Sequence, residues 1–205
     1  MYWLAAETGL RAGEIDGLQP HDVALSGITV RRTVWNGTVG EPKTPNALRT
    51  IATSATLSKY LPVWALERLE AGGKSLFSRS ADCCRRDHLQ PLLKELGFAL
   101  AGFHAFRHCN ASLMDRLRIP LKTRQVRLGH AATGSLTLDV YTHDEWEENT
   151  DAAFQIGEAL WDARNSVSLS TDEKKGPAGG VQQALSTQQE IGCGGGRFEL
   201  TTFGL

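Results

Sequence analysis

Long hydrophobic runs are missing from this 205-residue sequence, and none approaches the roughly 20 apolar residues that a membrane-spanning helix needs. The opening Met1-Tyr2-Trp3-Leu4 has neither a basic n-region nor a small-residue cleavage site, so no secretory signal is read there. Cysteine is scarce. The four present (Cys83, Cys84, Cys109 and Cys193) form no CxxC pair, which argues against a disulfide framework or a Cys-ligated metal. They are expected to be reduced thiols in a cytoplasmic protein. No internal repeat is visible. An excess of charge of one sign is missing too, since 22 Lys/Arg against 23 Asp/Glu leave a net −1. Apolar residues, at 41%, suffice for one sizeable core.

The near-neutral total conceals an asymmetry. Residues 1–143 hold 18 Lys/Arg against 12 Asp/Glu, a balance of +6, whereas residues 144–205 hold 4 against 11, a balance of −7. The basic part is the one suited to phosphates. An ordinary solvated surface would have the same balance, so charge alone decides nothing.

Along the chain, residues 3–10 and 13–19 form two short helical stretches around Thr8-Gly9-Leu10-Arg11, with Gly9 as a helix end. Residues 27–34 are rich in β-branched types and predict a strand, Asn36-Gly37 a tight turn, and Leu48 to Thr53 a second strand. Lys43 falls in the turn between strands. Leu57, Leu61, Trp64, Leu66 and Leu69 recur at roughly helical spacing over 56–71. Further helices are expected at 82–96, with Asp82 as N-cap and Gly97 as stop, and at 104–117, 120–127 and 145–162. Phe106 and Cys109 are expected on the inner face of the 104–117 helix. The fold class is therefore mainly α with a small antiparallel β-sheet (α+β). Residues 165–196 are rich in Ser, Thr, Gln and Gly and hold few large apolar groups to offset the entropy of ordering. The expected organisation is one domain over 1–162 and a flexible low-complexity tail over 163–205.

Four local patterns carry candidate chemistry: Thr8-Gly9-Leu10-Arg11-Ala12-Gly13-Glu14; Lys43 in its turn; His104-Ala105-Phe106-Arg107-His108; and Leu128-Gly129-His130 followed by Tyr141-Thr142-His143. Each alone is weak, because a lone arginine after a helix end is usually a surface residue and a lone tyrosine is usually packing. Nothing selects His21, His88 or His143. In this order and spacing the set resembles the tyrosine recombinase (phage integrase) family over about residues 3–160.

The resemblance implies the catalytic-domain fold of that family and a reaction in which DNA is cut and rejoined through a 3′-phosphotyrosyl link to Tyr141. Two guanidiniums, Arg11 and Arg107, would clamp the non-bridging oxygens of the phosphate as charge develops on them. His104, three residues before Arg107, shares a helix face with it. His130 would donate to the same phosphate, and Lys43 would protonate the leaving 5′ oxygen. Glu14 and His108 would stand behind the two arginines. Because the phosphotyrosyl bond stores the joining energy, no ATP, metal or other cofactor is expected.

The partners implied are double-stranded DNA and either further copies of the chain, as a tetramer on DNA, or a full-length recombinase. Neither a membrane nor a small-molecule substrate is implied. The expected setting is a bacterial or phage-encoded, nucleoid-associated protein of a mobile element. Two departures from the family stand out. The interval from His130 to Tyr141 is two residues longer than its commonest spacing. The chain also begins ten residues before Arg11, so an N-terminal core-binding domain is expected to be absent. Alternative readings are a truncated, non-catalytic DNA-binding remnant and a type IB topoisomerase-like relaxing enzyme.

Overall fold

The computed structural model describes residues 1–40, 48–129 and 145–171. The chain divides into two compact units, Met1–Asp162 and Ala163–Leu205. The fold below is that of the first; of the second, only the end of the last helix, up to Thr171, is described.

Helix α1 (Tyr2–Thr8) stops at Gly9, whose φ of +65° is left-handed. Helix α2 (Ala12–Gly17) begins one residue after Arg11, which holds extended backbone geometry as the N-cap. A 3-10 turn (Pro20–Asp22) leads into strands β1 (Val23–Ala24) and β2 (Gly27–Val30). Strands β3 (Thr33–Trp35) and β4 (Thr38–Gly40) form a hairpin closed by Asn36-Gly37, both at positive φ, the geometry this dipeptide favours. Strand β5 (Arg49–Ala52) completes a three-stranded antiparallel sheet in the order β1-β2-β5. Its register pairs Ile28 with Ile51 and Val30 with Arg49.

The remaining described elements are helical. In α3 (Ala55–Glu70), Leu57, Leu61 and Ala65 recur every fourth residue and are buried. Helix α4 (Ala81–Cys84) passes through a π turn (Arg85–Leu89) into α5 (Gln90–Glu95). Pro91 accounts for the widened turn, since it has no N–H and its ring collides with the carbonyl four residues back. Helix α6 (Phe103–Arg116) precedes α7 (Leu121–Leu128), which ends at Gly129, φ +62°. Helix α8 (Glu145–Thr171) is the last.

Leu4, Leu10, Ile15, Leu18, Ile28, Ile51, Leu57 and Leu61 form the main core between α1, α2, α3 and the sheet. A second cluster (Met114, Ile119, Leu128, Ala152 and Ile156) joins α6, α7 and α8. Each such Leu or Ile contributes about 1.5–3 kcal/mol by leaving water. The chain is thus mainly α with small antiparallel sheets, as the composition and periodicity imply.

Several local expectations need correction. The single strand over 27–34 is two strands in two sheets. The chain breaks at Arg31-Arg32, where Arg32 turns back to donate to Asp22 at 2.5 Å and to the Gly17 carbonyl at 3.2 Å. The N-cap of α4 is Ser80, which accepts from the Cys83 N–H at 3.2 Å. Asp82 is instead ion-paired with Arg85 at 2.6 Å. Phe106 packs against the main core, but Cys109 is exposed. The last helix continues to Thr171, beyond position 162. Its buried face is Asn149, Ala152, Ala153, Ile156 and Gly157, whereas Trp146, Phe154 and Trp161 are exposed. Among the described residues no helix is long and apolar enough to cross a membrane.

Candidate active site

The ends of helices α1 and α7 meet at one side chain. Arg107, from the second turn of α6, donates through Nη1 to the Gly9 carbonyl at 2.8 Å and through Nη2 to the Leu128 carbonyl at 2.5 Å. Both are carbonyls at helix ends, where intrahelical partners run out and the dipole favours a cation. Asn110, one turn on, donates to the carbonyls of Ala6 and Glu7 at 2.8 and 2.9 Å. Helix α6 therefore caps α1 with two side chains. The two terminal glycines are forced: at Gly9 a Cβ would lie 2.8 Å from Asn110 Oδ1, and at Gly129 2.6 Å from Arg49 Nη1. Gly9 precedes Arg11 by two residues, and Gly129 is followed directly by His130. The caps thus bring the segment carrying Arg11 to Arg107.

Arg107 is 4% exposed. Burial, followed by the positive charge of Arg11, lowers its pKa to about 10, while Glu14 opposes the shift. It remains a cation at neutral pH. Arg11 is half-exposed at the surface of the same turn. Glu14, on the first turn of α2, accepts from the Arg11 backbone N–H at 2.9 Å and from its guanidinium at 3.1 Å. This is a reciprocal cap, with the carboxylate reaching back to the residue that starts the helix.

One residue that the motif order does not single out completes the arrangement. Arg49 forks onto Glu14, Nη1 to Oε1 and Nη2 to Oε2, both at 3.0 Å, and donates through Nε to the Arg127 carbonyl at 2.9 Å. Burial alone would push the Glu14 carboxyl up. The hydrogen bonds and charge of Arg49, joined by those of Arg11, outweigh that and hold it below the ordinary carboxylate value. Arg127 is itself fully buried, donating to Asn149 Oδ1 at 2.5 Å and to the Ala52 carbonyl at 3.2 Å.

His104 lies exposed on the first turn of α6 and packs edge-on against His108, centroids 4.5 Å apart. The structure therefore gathers Arg11, Glu14 and Arg107 at one turn and places His104 and His108 on the exposed part of the helix that carries Arg107. Lys43, His130 and Tyr141 lie outside the described residues. Among the described residues, no group of three or more His, Cys, Asp or Glu is gathered to hold a metal. Arg11 and Arg107 thus put two cations at one turn, with His104 and His108 exposed on the helix that carries Arg107.

Comparison with known proteins gives the chain a family. No family model matches the chain. A tyrosine recombinase XerC-like protein of Caldanaerobacter subterraneus subsp. tengcongensis is 27% identical over 184 residues, 74% of this chain and 47% of that protein. The ICEBs1 integrase of Bacillus subtilis is 31% identical over 170 residues, 69% of this chain and 44% of its own length. The chain belongs to the tyrosine recombinase family. It spans about half the length of the curated relatives it matches. The recombinase fold is matched as well: the Tn1549 transposon integrase in complex with transposon right end DNA superposes with a TM-score of 0.53 at 20% identity, over 63% of this chain and 50% of that one. The same integrase in complex with circular intermediate DNA gives 0.52.

Proposed function

We propose that this chain is a site-specific DNA recombinase of the integrase type, cutting and rejoining strands through a 3′-phosphotyrosyl link to Tyr141. The observation that carries the reading is the convergence of Arg107 on the turn that presents Arg11, two cations held where a phosphodiester would dock. Attack on phosphorus adds negative charge to the non-bridging oxygens, and fixed guanidiniums stabilise that charge more than the ground state. In this reading His104 and His130 donate to the same oxygens. Lys43 protonates the leaving 5′ oxygen, an effect generally worth about 10²–10⁴ in rate. The partner is double-stranded DNA, engaged as an assembly of copies or beside a full-length recombinase. The chain then works in the cytoplasm, on the nucleoid.

The test is a nicked suicide duplex, on which the cleaved strand cannot be religated. The wild type is expected to trap a covalent adduct mapped to Tyr141. Tyr141→Phe should lose the adduct and keep non-covalent DNA binding. Lys43→Ala should regain cleavage on a 5′-bridging phosphorothiolate, whose leaving group needs no proton. Binding without any adduct would instead identify a DNA-binding remnant and refute the enzymatic reading.

A further inference from the structure

We infer that Arg49 is a positioning residue of this site: it occupies the Glu14 carboxylate so that the Arg11 guanidinium stays available to an incoming phosphate. The inference rests on the proposed function for what Arg11 does, but the arrangement behind it is independent of that reading.

Strand geometry puts Arg49 where it is. Side chains alternate along β5, so Arg49 shares the inner face with Ile51, while Thr50 points outward to pair with Thr29. A long cation buried at that position needs a partner for its charge. Its side chain is 4% exposed and that of Glu14 6%, so both partners of this ion pair are buried, whereas Arg11, the other partner of Glu14, is half-exposed. Glu14 on α2 and the Arg127 carbonyl on α7 fix the fork, and Gly129 at the end of α7 leaves room for it, since a Cβ there would lie 2.6 Å from Nη1.

The consequence lies in how the four lone-pair sites of Glu14 are shared. Oε1 accepts from Arg49 and from the Arg11 guanidinium; Oε2 accepts from Arg49 and from the Arg11 backbone N–H. Arg49 takes two donor positions and supplies the buried counter-charge. Arg11 gives one guanidinium bond and keeps the rest of its fork toward solvent. Among the described residues, three guanidiniums (Arg11, Arg49 and Arg107) against one carboxylate leave two positive charges at the turn. A phosphodiester carries one negative charge, and its pentavalent transition state two. Without Arg49, Glu14 would be a buried anion whose neighbouring cation is Arg11. Arg11 would be drawn fully onto it, and the turn would fall to a single positive charge. Arg49 therefore acts on the phosphate through Glu14 and Arg11.

The experiment uses the full chain with Arg49→Gln, Arg49→Lys and the double variant Glu14→Gln/Arg49→Gln. One measurement needs no DNA: the rate at which phenylglyoxal modifies Arg11, followed by peptide mass spectrometry. Arg49→Gln should slow this modification about fivefold, and the double variant should return it to within about twofold of wild type, because the competing anion is gone. The second measurement is single-turnover adduct formation on the suicide duplex alongside non-covalent affinity. Arg49→Gln should cost about 10² in adduct rate with affinity changed less than about threefold, and the double variant should recover about tenfold.

Arg49→Lys keeps the charge and loses the fork, so it should fall between wild type and Arg49→Gln. If Arg49→Gln melts below the assay temperature, the Arg49→Lys comparison stands in, and an unchanged Arg11 rate there overturns the inference. An unchanged Arg11 rate in folded Arg49→Gln, or a double variant no better than the single, overturns it as well. A wild type that gives no adduct refutes the proposed function, while the Arg11 modification series still decides the role of Arg49.

Discussion

Arginine-to-alanine scanning is the usual way to test a phosphate clamp, and the geometry here says that its two arms will behave differently. Arg107→Ala strips the partner from two buried carbonyls at helix ends, Gly9 and Leu128. An orphaned buried acceptor costs about 1–3 kcal/mol, so the pair implies roughly 2–6 kcal/mol. Part of this is recovered because the variant no longer buries a charge whose pKa the fold lowers to about 10. A net loss of about 3 kcal/mol is expected, equivalent to about 6–12 °C in Tm for a domain of this size. Arg11 is half-exposed and Glu14 keeps its pair with Arg49, so Arg11→Ala should cost no more than about 1 kcal/mol. The assay is urea denaturation followed by tryptophan fluorescence, with circular dichroism as a second probe to check two-state behaviour. If the two variants unfold within about 1 kcal/mol of each other, the structural role assigned to Arg107 is wrong. If they differ as expected, loss of cleavage in Arg107→Ala must be measured well below its own Tm before it is credited to chemistry.

Two further perturbations follow from the same turn and its neighbour. Gly129→Ala meets both a left-handed φ and Arg49 at 2.6 Å, and should cost about 3 kcal/mol by displacing the buried fork. Gly72→Ala has a similar φ of +67° and open space, so it should cost about 1 kcal/mol; equal losses in urea titrations would refute the packing argument. Glu7 is buried on α1, accepting from the Ser54 N–H and Oγ at 2.7 Å each, and burial raises its pKa above the ordinary 4.5 despite those bonds. With the folded value raised, its stabilising contribution is present below the unfolded value and is lost as pH rises through the folded one. Glu7→Gln should therefore gain on the wild type between pH 4 and pH 7 in paired thermal melts, and a flat or inverted gap would contradict the burial argument.

The helices were legible in the sequence because their signals are local. The recurrence of Leu57, Leu61, Trp64, Leu66 and Leu69, and glycines such as Gly9 and Gly97, need no knowledge of the rest of the chain, although Leu66 and Leu69 face solvent and Ala65 takes the buried position. The misplaced cap has a local cause as well: Ser80 and Asp82 are both good caps, and only the observed Ser80 bond to Cys83 separates them. Arg11, Glu14 and Arg107 were legible as members of an ordered set. Arg49 was not, although period-two alternation with Ile51 puts it on the buried face of β5. A single arginine in Leu-Arg-Thr-Ile-Ala gives no hint that its counter-charge is Glu14, 35 residues earlier. Arg127 was hidden in the same way: in Arg-Gln-Val-Arg-Leu it looks like a solvated helix residue, yet it is among the most buried side chains in the structure. Periodicity reports which face a residue takes, and buried ion pairs are the exceptions that only the tertiary partner explains.

The polar bonds that tie the helix ends together also set a timetable. Arg107 reaches Gly9 across 98 residues, Asn110 reaches Glu7 across 103, and Arg127 reaches the Glu7 carbonyl across 120. At the usual pace of synthesis, about 5–20 residues per second, the last of these partners leaves the ribosome roughly 6–24 s after α1. For most of that interval the cluster of Leu4, Leu10 and Ile15 waits for Phe103, and the Arg11 turn has no Arg107 to meet. Whatever this turn does to an anion, it does only once translation has passed α7, so every shorter nascent chain lacks the assembled turn.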